Sequence, residues 1–327
     1  MNKKRVQILN FNCTFGDGGI PLLDRFTDYF YPAITCLEQR VYRNSTYIFN
    51  DICIYDLNGR FVLTGMLIET KKVVNHTKYD KIEEEVHDDN QKFEIQPVSY
   101  FGIFLDNHKM YYIKNQGESP SVEKFKSTVT YALRQYRKSK NAEIRKIRSA
   151  QEMWEAAEIN INAIPTKVLE NYAELFQNAK KINYLRFKLF TKNASDWHGS
   201  FFDELLDTKS EIVSDNPVLN YPNPKNTENV GKLIAASNGY AETSLKITNE
   251  DGDIKKFVND DFQEQTTVEC LDVNDYHEKG KDLLVKLSDN PTLMEVSDFA
   301  QNEYEKHKPT LLKYYSDIIT KIFKGDE

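Results

Sequence analysis

Asn58-Gly59 separates two runs, TYIFNDICIYDL (46–57) and RFVLTGMLIETKK (60–72), each rich in β-branched and aromatic residues. An Asn-Gly pair between such runs is the preferred type I′ hairpin turn, because both central residues must take positive φ. This pair constrains the fold more than any other feature, since it commits 46–72 to an antiparallel hairpin. The stretch PVSYFGIFLDNHKMYYIKN (97–115) predicts two further strands around Asp106-Asn107-His108, and RVQILNFN (5–12) predicts a first strand. Leu22, Leu23, Phe26, Tyr29, Phe30 and Ile34 recur at helical spacing over 21–40. The acidic segment 75–95 reads as an exposed loop. An antiparallel sheet with a helix on one face follows, hence an α+β class.

Ser119-Pro120 reads as the start of a long helix, with Ser as cap and Pro at the first helical position. Its apolar stripe is Val122, Phe125, Val129, Leu133 and Tyr136. A chain of 327 residues suits two domains, or one domain with a large insertion. The boundary is placed just after this helix. That gives an antiparallel α+β domain over 1–150 and a mixed α+β domain over 151–327. The second part predicts a helix over 166–179 with Val168, Leu169, Tyr172 and Phe176 inward, then the strand KINYLRFKLFTK. A Pro/Asn-rich loop over 213–227 precedes a helix that stops at Asn238-Gly239. A second hairpin turns near Asp251-Gly252, and a helical end over 292–323 is expected to break at Pro309.

The formal charge is −7, but it is unevenly spread. Residues 120–190 hold 14 Lys/Arg against 7 Asp/Glu, while 81–90 alone hold five carboxylates. The middle of the chain is therefore the candidate anion-binding face. Cys13, Cys36, Cys53 and Cys270 have neither CxxC pairing nor regular spacing, so free thiols are expected, with no disulfide framework or zinc motif. The N-terminal stretch lacks the apolar core of a signal peptide and no run of 18 apolar residues occurs, so a cytoplasmic protein without membrane insertion is expected.

Between 124 and 148 stand nine basic residues, Lys124, Lys126, Arg134, Arg137, Lys138, Lys140, Arg145, Lys146 and Arg148, against one acid, Glu143. Arg186 and Lys188 share a face of the later strand. Arrayed cations suit a phosphate backbone, because each neutralised phosphate releases counterions. Tyr131, Tyr136 and Tyr184 lie among them as stacking surfaces.

The alternative is a metal-dependent nuclease of the D…ExK type, in which Glu69 and an upstream carboxylate, Asp51 or Asp56, hold Mg²⁺ and Lys71 positions the attacking water. A two-residue turn at 58–59 makes paired positions sum to 117, placing Glu69 opposite Ile48, and Asp51 opposite Met66 on the other sheet face. A bulge would be needed to bring Asp51 across. The glycines of TFGDGGIP lack the Gly and GK[ST] of a phosphate loop and read as a turn. Trp197-His198-Gly199 and Asp106-Asn107-His108 read as structural turns. A third reading is a protein-interaction sensor whose basic face docks on an acidic partner.

Two segments, IAASNGYAETSLKITNEDGDIKKFVNDDF and FGIFLDNHKMYYIKNQGESPSVEKFKSTV, resemble an uncharacterised bacterial family of about this length met among phage-defence genes. The hairpin SLKITNEDGDIKKFVN is similar to one in the RexA exclusion protein of phage lambda, and the Kiwa effector KwaB is a weaker analogy. The resemblance covers about half the chain. It implies a non-enzymatic, sequence-independent DNA-binding homodimer of a phage-exclusion or abortive-infection system, with a second protein of that system as a partner and no cofactor. Mg²⁺ enters only under the nuclease alternative, and no catalytic residue carries over.

Overall fold

The computed structural model describes residues 2–82, 84–147, 153–190, 217–263, 266–316 and 318–322. In chain order the first elements are β1 (Asn2–Phe15), β2 (Ile20–Pro21), α1 (Tyr31–Thr35), β3 (Arg40–Tyr42), β4 (Ser45–Leu57) and β5 (Arg60–Asp80). There follow β6 (Glu85–Ile95), β7 (Val98–Phe104), β8 (Lys109–Lys114), α2 (Val122–Ile147), β9 (Ala157–Ala163) and α3 (Leu169–Phe176). Then come β10 (Ala179–Leu189), β11 (Val218–Pro222), α4 (Thr227–Ala236), β12 (Ala241–Asn249) and β13 (Ile254–Val258). The described chain closes with β14 (Thr266–Cys270), α5 (Tyr276–Leu287), α6 (Pro291–Met294), α7 (Asp298–Tyr315) and β15 (Ile319–Ile322).

The architecture is α+β. An eleven-stranded sheet has the central order β14-β1-β8-β7-β5-β4-β15, with β2, β3, β6 and β9 joined at its sides. It is antiparallel except that β15 runs parallel to β4. The Asn58-Gly59 turn has φ of 52° and 86°, as a type I′ turn requires. Asp56 Oδ1 accepts from the Gly59 N–H at 2.6 Å.

Both faces of this sheet are covered, which is why β5, β7 and β8 read as nearly unbroken apolar runs rather than alternating ones. On one face Phe61, Leu63, Leu67 and Phe101 meet Phe125, Val129 and Leu133 of α2 and Tyr304 and Leu311 of α7. On the other face Val62, Met66, Tyr100 and Tyr111 meet Leu283, Leu284 and Leu287 of α5 and Leu293 of α6. A second, four-stranded sheet has the order β11-β10-β12-β13. Leu185, Phe187 and Leu245 of that sheet pack with Tyr172, Val230 and Ile234 of α3 and α4.

Several expectations are corrected. The chain does not divide at 150. β9 pairs along β1, β14 pairs with β1, and β15 pairs with β4, so residues on both sides of 150 build the large sheet. The second sheet with α3 and α4 is instead an insertion between β9 and β14, tied back by Thr166 N–H to Phe262 O at 2.9 Å. The acidic segment is not a loop. It continues β5 to Asp80 and returns as β6, with Lys71 opposite Ile95 and Asp80 opposite Glu85.

The stripe over 21–40 is buried as expected but is not one helix. A 3₁₀ turn at Leu22–Arg25 and a π turn at Phe26–Phe30 precede α1. Val168 and Leu169 are exposed at the start of α3, and only Tyr172 and Phe176 of the expected four are buried. α7 runs through Pro309 because Tyr304 on one side and Leu311 and Tyr315 on the other are buried, and their packing outweighs the lost hydrogen bond. The end of the described chain is a strand, β15. No described helix is long and apolar enough to cross a membrane.

Candidate functional site

α2 is fixed by its apolar side, and its cations are turned outward as a consequence. Val122, Phe125, Val129 and Leu133 are buried. The Phe125 ring lies 4.7 Å from that of Phe101, 5.7 Å from Tyr112 and 5.9 Å from Phe49. The helix opens at Val122, later than expected, with Ser121 O accepting from Phe125 N–H at 3.0 Å. Ser119 does not cap it. Its hydroxyl donates to Val98 O at 2.6 Å and accepts from Gln116 N–H at 3.0 Å, pinning the entry loop to β7.

The nine expected cations differ in their surroundings, and Lys124 is half-buried over the Tyr42 and Tyr47 rings. Arg134, Lys138, Arg145 and Lys146 are exposed, and Arg137 is half-buried. Among the described residues none of these five forms an ion pair. Arg134, Lys138 and Arg145 lie at i, i+4 and i+11, one stripe of the helix. Lys140 is paired with Glu143 at 3.1 Å and sits over the Tyr136 ring. Lys126 is turned inward toward Asn160 Oδ1 at 3.5 Å. Burial lowers its pKa, while the carboxylates of Glu158 and Glu242 counter that effect. Arg148 lies outside the described residues.

Arg186 and Lys188 are exposed on β10, each over an aromatic ring, Tyr184 at 5.2 Å and Phe190 at 5.3 Å. Lys188 is one of the charges acting on Lys126, and Phe190 beside it lines a groove with Lys126, so the end of β10 lies beside the first half of α2.

The structure adds a feature that the helix sequence alone does not contain. Arg40 of β3 donates to Ser127 Oγ at 2.6 Å and Thr128 Oγ1 at 2.9 Å of α2. Its guanidinium lies 5.1 Å from the Tyr42 ring, 5.4 Å from Tyr47 and 5.9 Å from Tyr131. Arg134 covers Tyr131 at 5.6 Å. Arg43 and Lys124 both cover Tyr42, at 5.3 and 5.2 Å, and Tyr42 is 41 % exposed. Cations and tyrosines thus alternate from the α2 stripe onto β3. Beyond Arg43 the surface continues into a groove lined by Lys71, Lys72 and Lys92, with Glu94 among them. Arg40, Tyr42, Arg43, Lys72 and Lys92 escaped the sequence reading because single cations in separate strands carry no local pattern.

The nuclease constellation is not assembled. The pairing sum of 117 holds from Leu57/Arg60 to Cys53/Thr64, then slips so that Asn50 faces Met66 and Tyr47, not Ile48, faces Glu69. The slip is a bulge at Asp51 and Ile52, where Asp51 takes φ of 52°. The bulge does not carry Asp51 to Glu69. Glu69 is 7 % exposed on the α2 side and accepts from the Tyr47 hydroxyl at 2.9 Å. Lys71 is 2.9 Å from Glu118 and 3.9 Å from Glu69.

Asp51 points to the opposite side, toward α5. Both its oxygens lie 2.8 Å from His277 Nδ1, and Cys53 Sγ lies 3.4 Å from Oδ1. His277 Nε2 is engaged by the Tyr55 hydroxyl at 3.4 Å. The group is not a thiol-protease arrangement. The nitrogen that would take the Cys proton is turned to Tyr55, and burial pushes the Cys53 thiol up to about 11.

Asp106-Asn107-His108 is a structural turn. Asp106 pairs with Arg60, and the Asn107 amide donates to Leu293 O at 2.7 Å. Trp197-His198-Gly199 lies outside the described residues. No protein-family model matches this chain, and no curated protein matches it.

Proposed function

We propose that the protein binds DNA through its phosphate backbone, independently of sequence, along the exposed stripe of α2 and the adjoining β3 surface. One observation carries this reading. Tyr131, Tyr42, Arg43 and Lys124, braced from beneath by the buried Arg40, join Arg134 and the other α2 cations that form no ion pair among the described residues to the groove bearing Lys72 and Lys92. Phosphates require several cations within reach of one backbone, and the tyrosine rings between these cations hold them in place. Lys126 and Lys140 are engaged by partners, and Arg186 and Lys188 belong to the second sheet.

The setting of phage exclusion, with the protein acting as a cytoplasmic dimer, rests on the resemblance of the two segments described above. The test is the triple charge reversal Arg134→Glu, Lys138→Glu, Arg145→Glu. All three side chains are exposed, so folding is retained. Affinity for any duplex is expected to fall about tenfold or more at ~0.1 M salt, equally across sequences. Unchanged affinity in the folded variant would exclude this surface. Cleavage of the DNA with Mg²⁺ present would reopen the nuclease reading.

A further inference from the structure

We infer that Asp51, Cys53 and His277 form a binding site for a first-row divalent cation of the zinc class, with the fourth position open to solvent. A carboxylate oxygen, a sulfur and an imidazole nitrogen from β4 and α5 lie within 4.8 Å of one another. Ligand atoms around a tetrahedral zinc ion stand roughly 3.3–3.7 Å apart, given bonds of about 2.0–2.3 Å. The observed 2.8 Å and 3.4 Å contacts need only a small outward movement to admit the ion. The mixed set of sulfur, nitrogen and oxygen suits zinc or cobalt and not Mg²⁺ or Ca²⁺, which take oxygen ligands.

Two further observations point the same way. A metal-bound imidazole turns its other ring nitrogen to a hydrogen-bonding partner that fixes the ring, and Tyr55 stands at that place on Nε2. Tyr100 is 2 % exposed, and its hydroxyl is buried without a hydrogen-bond partner. Asp51 is among the charges that act on it, so the hydroxyl lies in the neighbourhood of this cluster. The bulge that holds Asp51 at φ of 52° also carries the carboxylate to the α5 side.

The experiment adds Co²⁺ to the full chain after chelator treatment and reads the absorption spectrum. A sulfur-to-cobalt charge-transfer band and strong visible bands of a four-coordinate ion are expected, both displaced by Zn²⁺. Cys53→Ser should remove the sulfur band, and Cys270→Ser and Cys36→Ser should leave it intact. His277→Gln, on a half-exposed side chain that folding tolerates, should weaken Zn²⁺ binding by at least tenfold, and Tyr55→Phe by about tenfold. Absence of the sulfur band in the folded wild type would overturn the inference. So would its survival in Cys53→Ser.

Discussion

At the scale of single residues, partners settled what the charges do. Lys109 is buried in the β7–β8 turn region and donates to Thr292 O at 2.7 Å, Glu295 O at 3.0 Å and Glu295 Oε2 at 3.1 Å. Burial lowers its pKa even though Glu295 opposes that effect. For Glu295 burial acts upward, but the hydrogen bonds and charges of Lys167 and Lys109 outweigh it and hold the carboxyl below its usual range. A carboxylate depressed in the folded state stabilises the fold above its unfolded pKa and loses that contribution in acid. Glu295→Gln is therefore expected to cost about 1 kcal/mol or less at pH 7, given its exposure. The gap from wild type should close as pH falls below the ordinary glutamate range of about 4.3. Urea denaturation of both proteins at pH 7 and at pH 3.5–4 checks this, and a gap that widens in acid would contradict it.

At the scale of elements, local chemistry was legible where it was self-contained. The Asn58-Gly59 turn, the stop at Asn238-Gly239 and the inward set Leu185, Phe187 and Leu189 each depend on neighbours in sequence, and each stands as read. What failed depended on distant partners. The bulge at Asp51 has no local signature, and it shifts every pair from Asn50/Met66 to Ser45/Lys71 by one. α7 passes Pro309 because its neighbours on both sides are buried. β6 forms on an exposed acidic segment because β5 extends beyond the sheet to pair with it.

Gly102 illustrates the packing limit of β7. A Cβ there would lie 2.2 Å from Tyr111 Cε1 and 2.4 Å from Cζ, on a fully buried ring. Gly102→Ala is expected to destabilise the fold by ~1–3 kcal/mol, seen as a lowered denaturation midpoint. A neutral result would mean that the Tyr111 ring has room to move.

At the scale of the whole molecule, the net charge of −7 conceals a divided surface. The basic density of 124–148 was visible in the sequence, but its division into exposed, paired and inward-turned cations was not. Lys126 meets the acids Glu158 and Glu242 from outside its helix, which the helix pattern does not reveal, Lys140 pairs with Glu143 of its own helix, and Arg40, Tyr42 and Arg43 arrive from β3 and the turn after it. The Asp51–His277 pair joins positions 226 residues apart, which no spacing rule within one segment detects. Within the expected domain over 151–327, β10–β13 form only an insertion. Its flanking strands β9 and β14 disclose its place only through their pairing with β1.

The most direct measurement is the salt dependence of DNA affinity, by fluorescence anisotropy, for wild type and for the Arg134→Glu, Lys138→Glu, Arg145→Glu variant. Backbone binding on the α2 stripe requires tight, salt-sensitive association of the wild type. The slope of log K against log salt should be shallower in the variant by roughly one for each phosphate contact removed. Identical slopes and affinities in two folded proteins, or no binding by the wild type at low salt, would contradict the account.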